Sequence, residues 1–202
     1  MVTYSIFERK ANMPKGIYKR KPRSTKYAAG TVHETPAGRI RILEHIYHPD
    51  KANRAVILFE ESGWVANVQC TNIPAGKIRD CRKRTVYGVG YLGTDIRIPS
   101  RESGSIIRRL YDLWANMLKR CYGPYKGQYE GVVVDVRWHS FSAFMNTVTE
   151  LPGYAEWEAH RNYVLDKDIR VPGNKVYSKD TCMFVDASEN IAEASNRRWG
   201  NQ

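Results

Sequence analysis

The sequence predicts an α+β protein with a small β-rich N-terminal domain followed by a helical segment and a mixed C-terminal domain. Three observations lead there. Between Arg39 and Gly93 the apolar residues fall in short runs or alternate with polar ones, as in half-buried strands. From Ser105 onward apolar residues recur at helical spacing. After Gly153 the pattern reads strand, loop, strand and helix.

Ile40, Ile42 and Leu43 open the β-rich region, Ala55 to Phe59 forms a short buried run, and Gly63 marks a turn. Trp64, Ala66 and Val68 then alternate with Val65, Asn67 and Gln69. Pro74 to Gly76 makes another turn, and Tyr87-Gly88-Val89-Gly90-Tyr91-Leu92-Gly93 is too glycine-rich for a helix. A small β-meander is expected over residues 31–98. Residues 94–104 read as a linker. In the next helix Ile106, Ile107, Leu110, Leu113, Trp114, Met117, Leu118 and Cys121 share one side, and Gly123-Pro124 ends it. Gly131 to Val136 reads as a short strand. Trp138, Phe141, Phe144, Met145 and Val148 then share one face of a second helix, stopped by Leu151-Pro152-Gly153. A strand over Tyr163 to Ile169, a loop over Arg170 to Asn174, a strand over Thr181 to Val185 and a helix over Ala187 to Ser195 complete the expectation.

Charge narrows the choice of partner. The 202 residues carry 32 Lys and Arg against 21 Asp and Glu, a formal net charge of +11. Residues 1–30 hold eight of the basic residues, among them Lys19, Arg20, Lys21, Arg23 and Lys26, and a single acid, Glu8. Pro14, Gly16, Pro22 and Gly30 make a long helix there unfavourable, so a flexible basic arm is expected, suited to phosphates or a minor groove. A second cluster, Arg79, Arg82, Lys83 and Arg84, lies between glycine-marked turns and reads as a DNA-facing loop. Arg108 and Arg109 on the first long helix extend the candidate DNA-binding set. Such an excess of positive charge points to a polyanion, with double-stranded DNA the default.

Other classes are excluded or unsupported. No apolar run approaches the roughly 20 residues a membrane helix needs. The basic N-terminus lacks the apolar stretch of a secretory signal, so a cytoplasmic location is expected. Cys70, Cys81, Cys121 and Cys182 show no zinc-ligand spacing and read as buried thiols. The chain contains no Walker A, GxGxxG, GxSxG or HExxH motif.

A set of longer motifs carries a resemblance. Tyr111-Asp112-Leu113-Trp114-Ala115-Asn116-Met117-Leu118-Lys119-Arg120-Cys121-Tyr122 and Trp138-His139-Ser140-Phe141-Ser142-Ala143-Phe144 resemble helices of phage-encoded HNH homing-endonuclease-like proteins. Leu165-Asp166-Lys167-Asp168-Ile169, Gly173-Asn174-Lys175-Val176-Tyr177-Ser178 and Thr181-Cys182-Met183-Phe184-Val185 are similar to one subgroup of them, and the likeness covers roughly residues 38–195. It implies a ββα-metal core over residues 105–202, a bacterial host cell as the setting, and a site in which an Asp and a helix residue hold Mg²⁺ while a His activates water.

Carried onto this chain, Asp166 takes the Asp position and Asn190 the helix position, giving the candidate metal ligands. Lys167 stands where the His base belongs, and Thr181 where a middle Asn is expected. A lysine ordinarily titrates near 10.4 and is a poor base at neutral pH. Asp166, Lys167, Asp168, Asn174 and Thr181 form the candidate catalytic set, with Asp168, His139 or His160 available to supply a missing function. Longer relatives continue into an AP2-like DNA-binding module, whereas this sequence stops at Trp199-Gly200-Asn201-Gln202. Base reading is therefore expected from the arm, the meander or the helix of Arg108 and Arg109. Three functions fit. The first is a DNA-binding protein acting by occupancy, repressor-like, with cleavage lost or weak, no cofactor, and a homodimer suited to a palindromic site. The second is an active Mg²⁺-dependent endonuclease or nickase. The third is a basic protein-interaction module.

Overall fold

A computed structural model describes residues 25–48, 50–124 and 127–199. The chain is mixed α+β and builds two separate hydrophobic cores. The first lies under a four-stranded antiparallel sheet of β1 (Val32–Thr35), β2 (Gly38–Ile46), β3 (Arg54–Phe59) and β4 (Val65–Gln69), in that spatial order. In β3 Ala55, Ile57 and Phe59 are buried and alternate with half-exposed Arg54, Val56 and Leu58, because successive strand side chains point to opposite faces. Ile40 lies opposite Phe59 and Ile42 opposite Ile57, so the register puts the two apolar rows on one face. The ladder slips by one residue between Ile42 and Glu44, a bulge at which Leu43 stays exposed. Cys70, Ile73 and Ile78 close over the buried face.

The expected meander runs further than the sheet does. The ladder ends at Gln69, and Tyr87–Gly93 joins no strand of it. Instead Val86 and Gly90 close a tight turn that docks on the second core. Tyr91 donates its N–H to the His139 carbonyl at 3.0 Å and accepts from the Phe141 N–H at 2.8 Å. Gly90 explains the close docking. A β-carbon there would stand 2.9 Å from the Trp114 ring and 2.5 Å from Leu118 Cδ1. Val86, Val89, Leu92, Ile96 and Ile98 all pack on the second core, so residues 86–98 belong by packing to the C-terminal part.

That second core is centred on α1 (Ile106–Tyr122), whose Leu110, Trp114, Met117, Leu118 and Cys121 are buried at helical spacing. The β-carbons at i, i+4 and i+7 line one face, and burying each such side chain contributes about 1.5 to 3 kcal/mol. A short 3₁₀ turn, Val136–His139, precedes α2 (Phe141–Val148), and Ser140 caps α2 by accepting from the Ala143 N–H. Trp138 therefore sits in the turn ahead of the helix rather than inside it. Its indole N–H donates to Thr147 Oγ1 at 2.9 Å, while Trp114 donates to the Trp138 carbonyl at 2.7 Å. A further helix, α3 (Tyr154–Ala159), follows Gly153.

The remaining strands are β5 (Val133–Val134), β6 (Tyr163–Asp166), β7 (Val176–Tyr177) and β8 (Met183–Asp186), followed directly by α4 (Ala187–Trp199). β6 and β8 pair antiparallel, β5 and β7 pair parallel, and α4 packs against β6 and β8. The strand expected to reach Ile169 stops at Asp166, where the side chain turns the backbone. The strand expected from Thr181 begins at Met183, because Ser178 to Cys182 form a turn closed by Cys182 N–H on the Ser178 carbonyl at 3.0 Å. No helix among the described residues is long and apolar enough to cross a membrane.

Candidate functional site

Asp166 ends β6 and is buried. Its Oδ1 accepts the backbone N–H groups of Asp168 at 2.8 Å and Ile169 at 2.7 Å, an Asx-type turn that reverses the chain. Burial pushes the Asp166 carboxyl above its ordinary range. The two backbone donors pull it back, and the neighbouring Asp168 carboxylate pushes it up again. Lys167 is 9% exposed, with Nζ 3.1 Å from Asp168 Oδ2 and 5.9 Å from the centroid of the Tyr177 ring.

Asn174 and Thr181 hold this loop. Asn174 Nδ2 donates to the carbonyls of Lys167 and Val176, each at 2.7 Å, and its Oδ1 accepts from the Val176 N–H. Thr181 Oγ1 donates to the Val176 carbonyl at 2.7 Å and lies 2.9 Å from Ser178 Oγ. Their polar atoms are satisfied inside the loop, and neither lines the cavity beside Asp166. The candidate catalytic set is thus split: Asp166, Lys167 and Asp168 share a cavity, whereas Asn174 and Thr181 shape the backbone behind it.

The cavity measures about 310 Å³. Asp166, Asp168 and Asn190, in the first turn of α4, supply oxygen donors to it, and Lys167 lines it as well. These hard oxygens suit a magnesium ion better than a soft metal. Among the described residues no group of three or more His, Cys, Asp or Glu side chains is gathered for a metal. Two further contributors were not foreseen. Arg120, in the last turn of α1, reaches the cavity with Cζ 5.6 Å from the Tyr129 ring centroid. Tyr177, on β7, forms part of the wall. Burial raises its phenol well above the usual range, and nearby Arg120 opposes that rise. Arg120 belongs to a helix face that reads as solvated by spacing alone. Only the parallel pairing of β5 with β7 brings Tyr177 beside it.

The candidate DNA-binding residues fare unequally. Lys19, Arg20, Lys21 and Arg23 lie outside the described residues. Lys26 is exposed, with Nζ 5.4 Å from the Tyr27 ring centroid. Arg82, Lys83 and Arg84 are exposed around a cavity of about 550 Å³ that Glu61, Asp80 and Tyr91 also line, and none is ion-paired among the described residues. Arg79 is tied down, donating to the Ile96 carbonyl at 3.0 Å and standing 3.8 Å from Asp95.

Arg108 and Arg109 do not present free cations. Arg108 Nε donates to Asp112 Oδ2 at 2.9 Å in a two-pronged pair one helical turn away. Arg109 donates to the carbonyls of Glu158 at 2.8 Å and Trp157 at 2.7 Å, and its guanidinium lies 4.5 Å over the Trp157 ring. These contacts clamp α3 to α1, so Arg109 is a structural residue. His139 Nε2 lies 3.2 Å from the Tyr122 hydroxyl and does not line the Asp166 cavity, and His160 is exposed. All four cysteines are buried free thiols; burial pushes Cys81 up to about 11 and Cys182 up to about 12.

Compared with known proteins, the chain matches no family model, no curated protein and no solved structure.

Proposed function

We propose that the protein binds double-stranded DNA on an HNH homing-endonuclease-like scaffold and acts by occupancy, as a transcriptional repressor does. The observation that carries this reading is the Lys167–Asp168 ion pair. Position 167 is where that family's pattern puts a histidine base, and an ammonium held 3.1 Å from a carboxylate has no lone pair for a proton. Binding is supported by the +11 charge and by the exposed Arg82, Lys83 and Arg84, which have no ion-pair partner among the described residues. One preparation tests it. Labelled duplex fragments are followed by gel shift across a salt series, and the same DNA is examined with Mg²⁺ on a denaturing gel. Salt-sensitive, fragment-selective retention with intact strands is expected. Absence of any salt-sensitive binding ends the reading.

A second reading, a Mg²⁺-dependent endonuclease or nickase, is favoured by Asp166 itself. A carboxylate buried against its own charge is costly to keep and is a common mark of a working site. Asp166 and Asn190, with Asp168 beside them, would hold the ion. The ion, when bound, neutralises charge developing on the phosphate. Nicks made by the wild type and abolished by Asp166→Ala would establish this reading over the first.

A further inference from the structure

We propose that Arg120 is the phosphate-holding residue of the Asp166 cavity, the side chain that fixes a non-bridging oxygen of one DNA phosphodiester there. The inference rests on DNA being the ligand and extends that reading to a specific pocket and group. Three observations carry it. First, the cavity is divided by charge. Asp166, Asp168 and Asn190 supply oxygens, and Arg120 brings a guanidinium to the same volume of about 310 Å³. A bare carboxylate ligand would meet two carboxylates there. A phosphodiester instead offers its charged non-bridging oxygens to the guanidinium while its uncharged ester groups lie toward the acids.

Second, the Arg120 guanidinium contacts the Tyr177 hydroxyl, a neutral partner that leaves its charge uncompensated. The cavity's other cation, Lys167, is paired with Asp168 at 3.1 Å, and Arg108 and Arg137 each hold a carboxylate. Arg120 has no carboxylate partner among the described residues. Third, the side chain is aimed. Its guanidinium stands 5.6 Å from the centroid of the Tyr129 ring and beside buried Tyr177, on the cavity side of α1. Stacking on the Tyr129 ring limits the rotamers of a long side chain, so less entropy is lost when the fork closes on phosphate.

The test uses the full chain in EDTA, which removes any contribution from a divalent ion. The probe is thymidylyl-thymidine, a dinucleotide with one phosphodiester, titrated by NMR with the Tyr129 and Tyr177 ring signals as reporters. A duplex gel shift runs in parallel. Arg120→Gln is expected to weaken dinucleotide binding about tenfold, the loss of one charge-assisted contact. Arg120→Lys recovers part of it by keeping the charge without the fork. Lys119→Gln, its exposed neighbour, binds as the wild type does, and matching melting curves show that each variant is folded. Unchanged binding by folded Arg120→Gln overturns the inference. So does a wild type that retains duplex DNA but ignores the dinucleotide, in which case the DNA reading survives alone. If neither ligand binds, both fall.

Discussion

The Lys167 ammonium lies 3.1 Å from the Asp168 carboxylate, and Asn174 holds the Lys167 backbone carbonyl from the other side. The residue is thus fixed at both ends within the wall that carries Asp166. Its charge neutralises one of two adjacent acids, which limits their mutual repulsion in a half-closed site.

Lys167→His places a neutral imidazole at that position. With Mg²⁺ present the variant is expected to nick supercoiled plasmid at least about a hundredfold faster than the wild type, the low end of what a positioned base supplies. Adding Asp166→Ala to it removes the gain. A folded Lys167→His protein with no gain shows that position 167 does not face the scissile group.

The two kinds of arginine separate by salt dependence. Arg82→Ala is expected to weaken binding to all duplexes alike and to lower the salt slope by about one, as for one lost phosphate contact. Arg109→Ala leaves the slope unchanged and costs roughly 1 to 2 kcal/mol of folding stability, because it frees α3 from α1. Equal slopes for Arg82→Ala and wild type take the loop out of the interface. A lowered slope in Arg109→Ala contradicts its structural role.

Asp166 has its pKa raised by burial, so the folded state binds its proton more tightly than the unfolded chain does. Stability from this group is present below about pH 3.9 and is lost as the pH rises through the folded value. Asp166→Asn keeps the oxygen that accepts from Asp168 and Ile169 and removes the buried charge. It is expected to melt higher than the wild type at pH 7, with the gap closing toward pH 4. Added Mg²⁺ raises the wild type and not the variant if an ion binds there. A variant that melts lower at pH 7 refutes the account of the buried charge.

His139 responds in the opposite sense. Burial lowers its pKa, the Val134 backbone contact opposes that, and Arg84 adds to it. The unfolded chain therefore takes up a proton first. Stability is full above about pH 6.5 and falls as the pH drops toward the folded value. Denaturant midpoints at pH 7.5 and pH 5.5 should fall further for the wild type than for His139→Gln. Parallel losses in the two proteins count against the buried imidazole as the cause.

How much of this was legible in the residues depended on how far apart the partners lie. The buried faces of β3 and α1 follow from spacing alone, since the residues that share a face repeat within a few positions. The Tyr87–Gly93 turn was misplaced because its glycines fit a meander equally well, and only contact with Trp114 and Leu118 decides otherwise. Charge at Arg108 and Arg109 was visible; Asp112, the partner of Arg108, lies only four residues on, whereas the Trp157 and Glu158 carbonyls that hold Arg109 lie nearly fifty residues away. Asp166, Lys167, Asp168 and Asn190 were named from motif resemblance and do share one cavity. Arg120 was missed because its place in the cavity wall beside Tyr177 depends on a two-residue strand pair with no sequence period to announce it.

The order of pairing has a consequence for when the site can exist. β5 pairs with β7 and β6 with β8, so the two ladders interleave along the chain. A single cut between Asp168 and Lys175 would leave each ladder divided between the same two fragments, which could regain the cavity only by reassociating. Asp166 comes from β6, Tyr177 from β7, Asn190 from the helix after β8, and Arg120 from the helix packed on β5. Both distant closures must be complete before these groups meet, and pairings between such distant segments are intrinsically slow. A chain in which either ladder is still open lacks the assembled acidic hollow, so whatever happens at Asp166 waits for both ladders to close.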